Sequence, residues 1–358
     1  MYVQSQTYQY PNAKEIEQRV NYIERVIAES SKPNSDIKQL AKEFHEWELF
    51  AYSFSTYALT NVALNDSAYK NRAVETIKIA IDQVLKAKIA NNYDVDSSAL
   101  YSDSIPDLSV LYHGHLNLMM GCYRKLTTDS TYNKLNNKLS KSLYEKYEAS
   151  PYYNLESYSE SIWIPDNTVA LASLQLHNAN TGSSYHEICK KWVSYAKEHY
   201  LESETGTLYS TIDYKIGDGV EEPRGSMLGW SIMFIYQFDT EFATQLYQNY
   251  KKAFSQNYHL LMLFRERHNN YQSNDGDVDS GPIFQGFSIP ANEFALSNAV
   301  LAGDYKTAAK LQRLINLGTK TINDNSELRY KLRFFDMKIS PMAEALVLHS
   351  LTMTKWTK

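Results

Sequence analysis

Helical segments of two kinds alternate along the whole chain, and this alternation restricts the fold more than any other feature. Segments of the first kind carry apolar residues three and four apart with charges between them, as in AKEIEQRVNYIERVIAES from Ala13; others begin at Tyr69, Thr131, Ser184, Glu241 and Asp304. That period makes a helix with one dry face and one wet face. Segments of the second kind are apolar nearly all round and begin at Phe44, Asp107, Pro165, Gly225, Ser288 and Ser340. A helix with no wet face must be surrounded by protein. The dry segments start roughly 50 to 65 residues apart, which marks a repeated two-helix unit.

Six such hairpins, dry helices inside and wet helices outside, close into an (α/α)6 toroid, whereas an open solenoid would expose an apolar end at each terminus. No Pro- or Gly-rich linker divides residues 1–358. The expectation is therefore a single all-α domain, with one short β-hairpin where GTLYSTIDYKIGDG, residues 206–219, alternates between turn residues. Pro106, Pro165, Pro290 and Pro341 fall at or near the first turn of dry segments, where a missing amide costs nothing and the fixed φ is already helical. In a closed ring all dry helices run the same way. Their N-termini then face one depression.

Composition narrows the function classes. The 36 Lys and Arg against 41 Asp and Glu leave a net charge of −5 with no long run of one sign, so no basic tract is available to displace counterions from nucleic acid. No stretch reaches the ~18 consecutive apolar residues of a membrane span. The N-terminal MYVQSQTYQYPNAKEIEQ has no apolar signal core, so the chain is read as soluble, either cytoplasmic or exported with a leader removed. Cys122 and Cys189 lie among apolar neighbours as core thiols. His113 and His115 are too close to share a helical face, which argues against zinc. The acidic run from Asp275 puts Ser280 and Gly286 where a calcium loop needs Gly and Glu. A lysine-bearing phosphate loop is absent as well. No metal and no cofactor are expected. The partner expected is a small molecule or an oligosaccharide, with no nucleic acid and no membrane, and the chain is compatible with an oligomer. The 29 Tyr exceed what a helical core needs; their polar tips suit the walls of a wet groove or caps over apolar surface.

The segments that enter the dry helices are the chemically richest. In WIPDN, Asp166 and Asn167 suit either the capping of orphan amides or contact with a ligand, and Trp163 suits the core or stacking on a ligand face. Tyr112 and His115 occupy the early turns of the second dry segment, His115 as an acid or base or as a satisfied core histidine. GVEEPRGSMLGW sets Glu221, Glu222, Arg224 and Trp230 at the fourth: a network of ion pairs between loops, or Arg224 as a fork for carboxylate or phosphate while Glu221 or Glu222 acts on a proton. Asp277 and Asp279 precede the fifth on a Gly-flanked loop, Glu293 lies within it, and Asp336 and Glu344 flank the start of the sixth. Two carboxyls in unlike environments can be driven to different pKa values and divide proton donation from water activation.

YHGHLNLMMG, WIPDN and GWSIMFIYQFDTEFATQLY, with the hairpin order, resemble the (α/α)6 enzymes of the linalool dehydratase/isomerase type and, more distantly, the six-hairpin glycosidases, over roughly Glu46 to Tyr247. The resemblance implies that Glu46 stands where that family has an acid, Tyr52 where it has a tyrosine and His115 where it has a histidine. That family's Cys-Glu-Pro-Asn run and its second cysteine fall on Trp163 to Asp166 and on Ala172, so both thiols are absent.

The leading expectation is a carbohydrate-active enzyme, a glycoside hydrolase or lyase, because carboxylates perform glycosidic chemistry and rings stack on sugar faces. Asp166 and Asp279 are the expected acid/base pair, with Glu222 as substitute. Trp163, Tyr112 and Trp230 are the expected sugar-facing walls, and Asn167, Arg224, Asp277, Glu293 and Asp336 further substrate contacts. A second expectation is a cofactor-free hydro-lyase or isomerase of a small alcohol, with Glu46, Tyr52 and His115 as proton carriers. A third is a non-catalytic toroid that binds a glycan or peptide.

Overall fold

The computed structural model describes residues 7–102, 105, 109–268, 276–324, 326–334 and 337–357. Helix α1 (Ala13–Glu29) and the short α2 (Asp36–Leu40) lead into α3 (His45–Asn65); α4 (Lys70–Val84) and the one-turn α5 (Ala87–Ala90) precede α6 (Val110–Leu126). Then follow α7 (Asn133–Ala149), strand β1 (Ile162–Trp163), α8 (Ile164–Thr181), α9 (Glu187–His199), β2 (Thr211–Ile212), α10 (Gly225–Ile235) and α11 (Thr240–Phe254). Two strand pairs come next, β3 (Ser255–Tyr258) with β4 (Leu261–Phe264) and β5 (Ile283–Phe284) with β6 (Phe287–Ser288). The chain ends through α12 (Ile289–Leu301), α13 (Tyr305–Gly318), the pair β7 (Thr319–Asp324) and β8 (Glu327–Leu332), and α14 (Pro341–Leu351).

The two expected classes of helix are both present. On α10 every residue from Gly225 to Ile235 is buried, whereas α11 buries Phe242, Leu246 and Tyr250 along one face and leaves the other wet. Proline and small polar residues start the dry helices as anticipated. Ser288 and Ser340 accept the amides of Ala291 and Ala343, with Pro290 and Pro341 in the first turns of α12 and α14, and Pro165 opens α8. Helix α8 ends on Gly182, whose φ of 74° is the left-handed conformation that lets its amide reach back to the Asn178 carbonyl at 2.7 Å. The second dry helix begins at Val110, capped by Ser109, later than Asp107; Pro106 and Asp107 lie outside the described residues.

The described residues gather into two compact units. Unit 1 takes those of Met1–Ala80, Ser255–Glu266 and Gln272–Thr354; unit 2 takes those of Ile81–Phe254, Arg267–Tyr271 and Lys355–Lys358. Within unit 2, the amide Nδ2 of Asn117 donates to Ser173 Oγ at 2.8 Å and that of Asn180 to the Gly121 carbonyl at 2.9 Å. A methyl group on Gly114 would lie 3.1 Å from Ala170 Cβ, so these backbones approach where neither side chain can grow. Because 114, 117 and 121 on α6 meet 170, 173 and 180 on α8 in ascending order, the two helices run parallel. Within unit 1, Asn61 donates to the His349 carbonyl and Asn65 to that of Thr352, and the same reasoning makes α3 and α14 parallel. This is a mostly helical fold of long helices packed against one another, as an α/α-toroid-like architecture requires.

The strands exceed the expectation. The stretch at 206–219 does turn back on itself, with Ile212 bridging Gly219, but β2 pairs with β1 at the mouth of α8, and three further pairs were not anticipated. The Tyr surplus also goes elsewhere. Tyr112, Tyr147 and Tyr250 are fully buried, and each hydroxyl is satisfied internally, donating to the Val84 carbonyl at 2.9 Å, to Asn167 Oδ1 at 2.9 Å and to the Gly225 carbonyl at 2.9 Å. A buried ring with a partnered tip is a core residue.

Candidate functional site

In unit 2 the mouth of α8 is held by a small sheet. Trp163 pairs with Thr211, the Ile164 amide donates to the Ser210 carbonyl at 3.0 Å, and the Ser210 amide donates to the Glu221 carbonyl at 3.0 Å. Ile164 and Glu221 therefore flank Ser210 across two strand spacings, about 10 Å between their backbones. Asp166, two residues on, lies in the first turn of α8 and is 8% exposed. The N-terminal end of that helix supplies a positive potential. Glu221 sits between two guanidinium groups: Arg224, itself buried, is 3.6 Å away through Nη1, and Arg267 is 3.5 Å from the same carboxylate oxygen. The backbones of Arg224 and Arg267 form a bridge, which sets both side chains beside the same carboxylate. An aromatic ring, a buried carboxylate and a braced acid–arginine cluster thus share one frame.

Other expected residues of unit 2 take different places. Glu222 is exposed and contributes its carbonyl, which accepts from Ser210 Oγ, whereas the Glu221 carboxylate reaches the arginines. Tyr112 is interior, its ring stacked on Tyr93 at 5.7 Å, and so forms no wall. His115 is fully buried with its ring edge-on to Trp230 at 5.5 Å, and desolvation pulls its pKa down to about 3, so the imidazole is neutral. Asn167 is a clamp: Oδ1 accepts from the Tyr147 hydroxyl and the Leu155 amide, while Nδ2 donates to the carbonyls of Leu155 and Trp163. All its polar capacity serves the fold, not a ligand. Asn167→Ala is expected to cost about 2 to 4 kcal/mol, since it strands several buried partners at once. A urea midpoint equal to that of the wild type would refute the clamp.

Unit 1 carries the remaining candidates. Asp277 is exposed, and its Oδ1 accepts from the Asp279 and Ser280 amides and from Ser280 Oγ, which closes a local turn. Trp47 pins that turn to α3 by donating to the Val278 carbonyl at 2.8 Å. Asp279 is half-buried on it, and it belongs to the other unit from Asp166. Glu46 lies 3.3 Å from His45 Nε2, and Tyr52 is fully buried, with desolvation raising its phenol. Asp336 is outside the described residues. Glu293 and Glu344 are both buried, near the starts of α12 and α14. Burial, then the neighbouring Glu344 charge, pushes Glu293 well above the usual carboxylate range; burial lifts Glu344 to about 7 although Arg19 pulls the other way. Sequence reasoning missed Glu48, buried in the first turn of α3, and Arg267. Glu48 had a signal, since an acid inside a dry segment demands a reason; Arg267 had none.

Among the described residues no helix is long and apolar enough to cross a membrane, and no group of three or more His, Cys, Asp or Glu is placed to hold a metal ion.

No family model matches the sequence. Solved structures do resemble the fold. An unsaturated glucuronyl hydrolase from Bacillus sp. GL1 shares 11% identity at a TM-score of 0.59, over 94% of this chain and 96% of that one. A glycoside hydrolase of family 105 from C. acetobutylicum ATCC 824 shares 12% at 0.57, over 92% and 98%. An α-1,6-mannanase from Salegentibacter sp. HEL1_6 shares 10% at 0.57, over 94% and 98%. At such identities the likeness is one of fold. The chain has a largely helical, (α/α)-toroid-like fold of the kind those solved structures share. The resemblance to the linalool dehydratase/isomerase type rests on the sequence motifs alone.

Proposed function

We propose that the protein is a carbohydrate-active enzyme that cleaves glycosidic bonds, by hydrolysis or by elimination, with an oligosaccharide as substrate. The observation that carries this reading is the mouth of α8: buried Asp166 follows the Trp163 ring on a helix start that is hydrogen-bonded, through Ser210, to Glu221 with its two arginines. A ring can stack on the flat face of a sugar, and two carboxyls from one frame can divide the work at the bond to be broken. Asp166 is assigned to the reacting centre and Glu221 is the second carboxyl, oriented by Arg224 and Arg267. We take Glu221 as the second carboxyl in place of the expected Asp279 because Glu221 is tied to the mouth of α8 through Ser210 within unit 2. The fold supports the reading, since the solved structures that resemble it include a glycoside hydrolase of family 105, an unsaturated glucuronyl hydrolase and an α-1,6-mannanase.

The test is incubation of the full chain with a panel of neutral and uronate-containing oligosaccharides, followed by reducing-end and unsaturated-product assays. At least one substrate is expected to yield new reducing ends, with unsaturated ends as well if the bond breaks by elimination. A complete panel that returns no product would defeat the proposal.

A further inference from the structure

Glu293 is the most unusual acid in unit 1. It is 6% exposed, sits in the second turn of α12, and among the described residues its carboxyl has no hydrogen-bond partner, only its carbonyl accepting from Ser350 Oγ at 3.2 Å. Glu344 on α14 is fully engaged by contrast: Oε2 faces Arg19 Nη1 at 3.4 Å and Oε1 accepts the Tyr330 amide. A buried carboxylate with nothing to stabilise its charge is costly, and a neighbouring carboxylate raises the cost. Of this pair, Glu293 is the one that keeps a proton. A neutral carboxylic acid is in turn a strong donor that wants an oxygen acceptor, and the described residues supply none.

The surroundings define what can supply it. From α14 Glu344 acts on Glu293, and the same helix carries buried His349, which desolvation keeps neutral and whose ring lies against Phe54 and Tyr57. Helix α3, which touches α12 through Phe54 and Phe294 at 6.0 Å, carries buried Glu48. After β4 comes Glu266, whose carboxylate accepts from Ser288 Oγ at 2.7 Å, and α13 directs Lys310 to Asn257 and Arg313 to the Leu260 carbonyl, both on the β3–β4 hairpin. Arg19 is committed to Glu15 and Glu344. The charge that acts on Glu293 is that of Glu344, so an anionic ligand beside Glu293 is disfavoured, although Arg19 keeps one buried nitrogen without a hydrogen bond and Arg329 also acts on Glu344.

We propose that Glu293 keeps its proton and donates it as a hydrogen bond to an oxygen of a neutral saccharide bound at the N-terminal ends of α3, α12 and α14 in unit 1. The class of ligand rests on the carbohydrate reading above; the state of Glu293 does not. In full-length protein with 13C-labelled Glu carboxyls, one side chain is expected to remain protonated at pH 7, and its signal should vanish in Glu293→Gln. If every Glu is ionised at pH 7, or the signal survives the substitution, the inference falls whatever the enzyme does. Calorimetry with neutral disaccharides and their C6-oxidised uronates tests the ligand. At least one neutral disaccharide is expected to bind, at least tenfold more tightly than its uronate. Glu293→Ala should weaken it at least tenfold, while Glu293→Gln, which still donates, should retain most of the affinity. Equal or tighter binding of the uronate, an unaffected Glu293→Ala, or no binding at all would overturn the proposal, and product formation in the wild type decides the functional reading separately.

Discussion

Asp166→Asn is expected to lower kcat/KM on the best oligosaccharide by roughly 10² to 10⁴-fold, the range attached to a positioned proton-transfer group. The amide keeps the size of the carboxyl and its place in the first turn of α8. What it loses is the capacity to take or give a proton, or to attack carbon, at neutral pH. The frame around it should survive, because β1, β2 and the Asn167 clamp hold the helix mouth without using Asp166 in their hydrogen bonds. The thermal midpoint is therefore expected to stay within a few degrees of the wild type. Asn167→Ala should show the reverse pattern, a large loss of stability with kcat/KM per folded molecule little changed. Steady-state kinetics and thermal melts on the two variants separate the roles of adjacent residues. A fully active Asp166→Asn would remove Asp166 from the chemistry.

Mild acid is expected to unfold the protein. His115 and His349 are both fully buried and neutral, each pulled by desolvation from 6.5 to about 3, and His177, bonded to Ser183 Oγ and Asn137 Oδ1, is lowered to about 4. For a base whose folded pKa is depressed, the stabilisation is complete above the unfolded value and is lost as pH falls through the folded one. Each of His115 and His349 can thus withdraw on the order of 5 kcal/mol across the window from 6.5 down to 3, against a total stability of about 5 to 15 kcal/mol. The raised carboxyls act in the opposite sense. Glu344, lifted from 4.5 to about 7, contributes stability that is full below 4.5 and is lost as pH rises through 7, and Glu293 adds to this. The two windows overlap from pH 4.5 to 6.5, where the losses from three histidines outweigh the gains from two carboxyls, so urea titrations followed by tryptophan fluorescence are expected to show greatest stability near pH 6.5, with a steep acid limb. His349→Gln should move that limb to lower pH. An acid limb that does not shift would mean that His349 does not titrate on unfolding.

The helices were legible because their information is local. A dry segment such as GSMLGWSIMFI can only be α10 inside protein, and the three-and-four spacing of Phe242, Ala243, Leu246, Tyr247 and Tyr250 can only put one face of α11 against it; capping by Ser288 and Ser340 is likewise a matter of residues three apart. Part of the candidate site was legible in the same way. Trp163 and Asp166 sit at the mouth of a dry helix because Pro165 marks its first turn.

Partners distant in sequence were a different matter. Nothing local shows that Ser210 bonds both Ile164 and Glu221, that the Asn167 amide is consumed by Tyr147, Leu155 and Trp163, or that Arg267 comes to Glu221. Glu221 and Glu222 are equivalent by composition, and only the path of the folded loop takes one to the arginines and leaves the other exposed. Tyr112 and Glu293 likewise looked like ligand groups until packing gave the Tyr112 hydroxyl an interior partner and left the Glu293 carboxyl with no hydrogen bond among the described residues. The sequence by itself determined which helices are wet and which are dry, because backbone periodicity against water is written residue by residue. Tertiary structure alone decided which polar groups are used up by the fold and which remain for chemistry, because a hydrogen bond depends on where two remote segments meet.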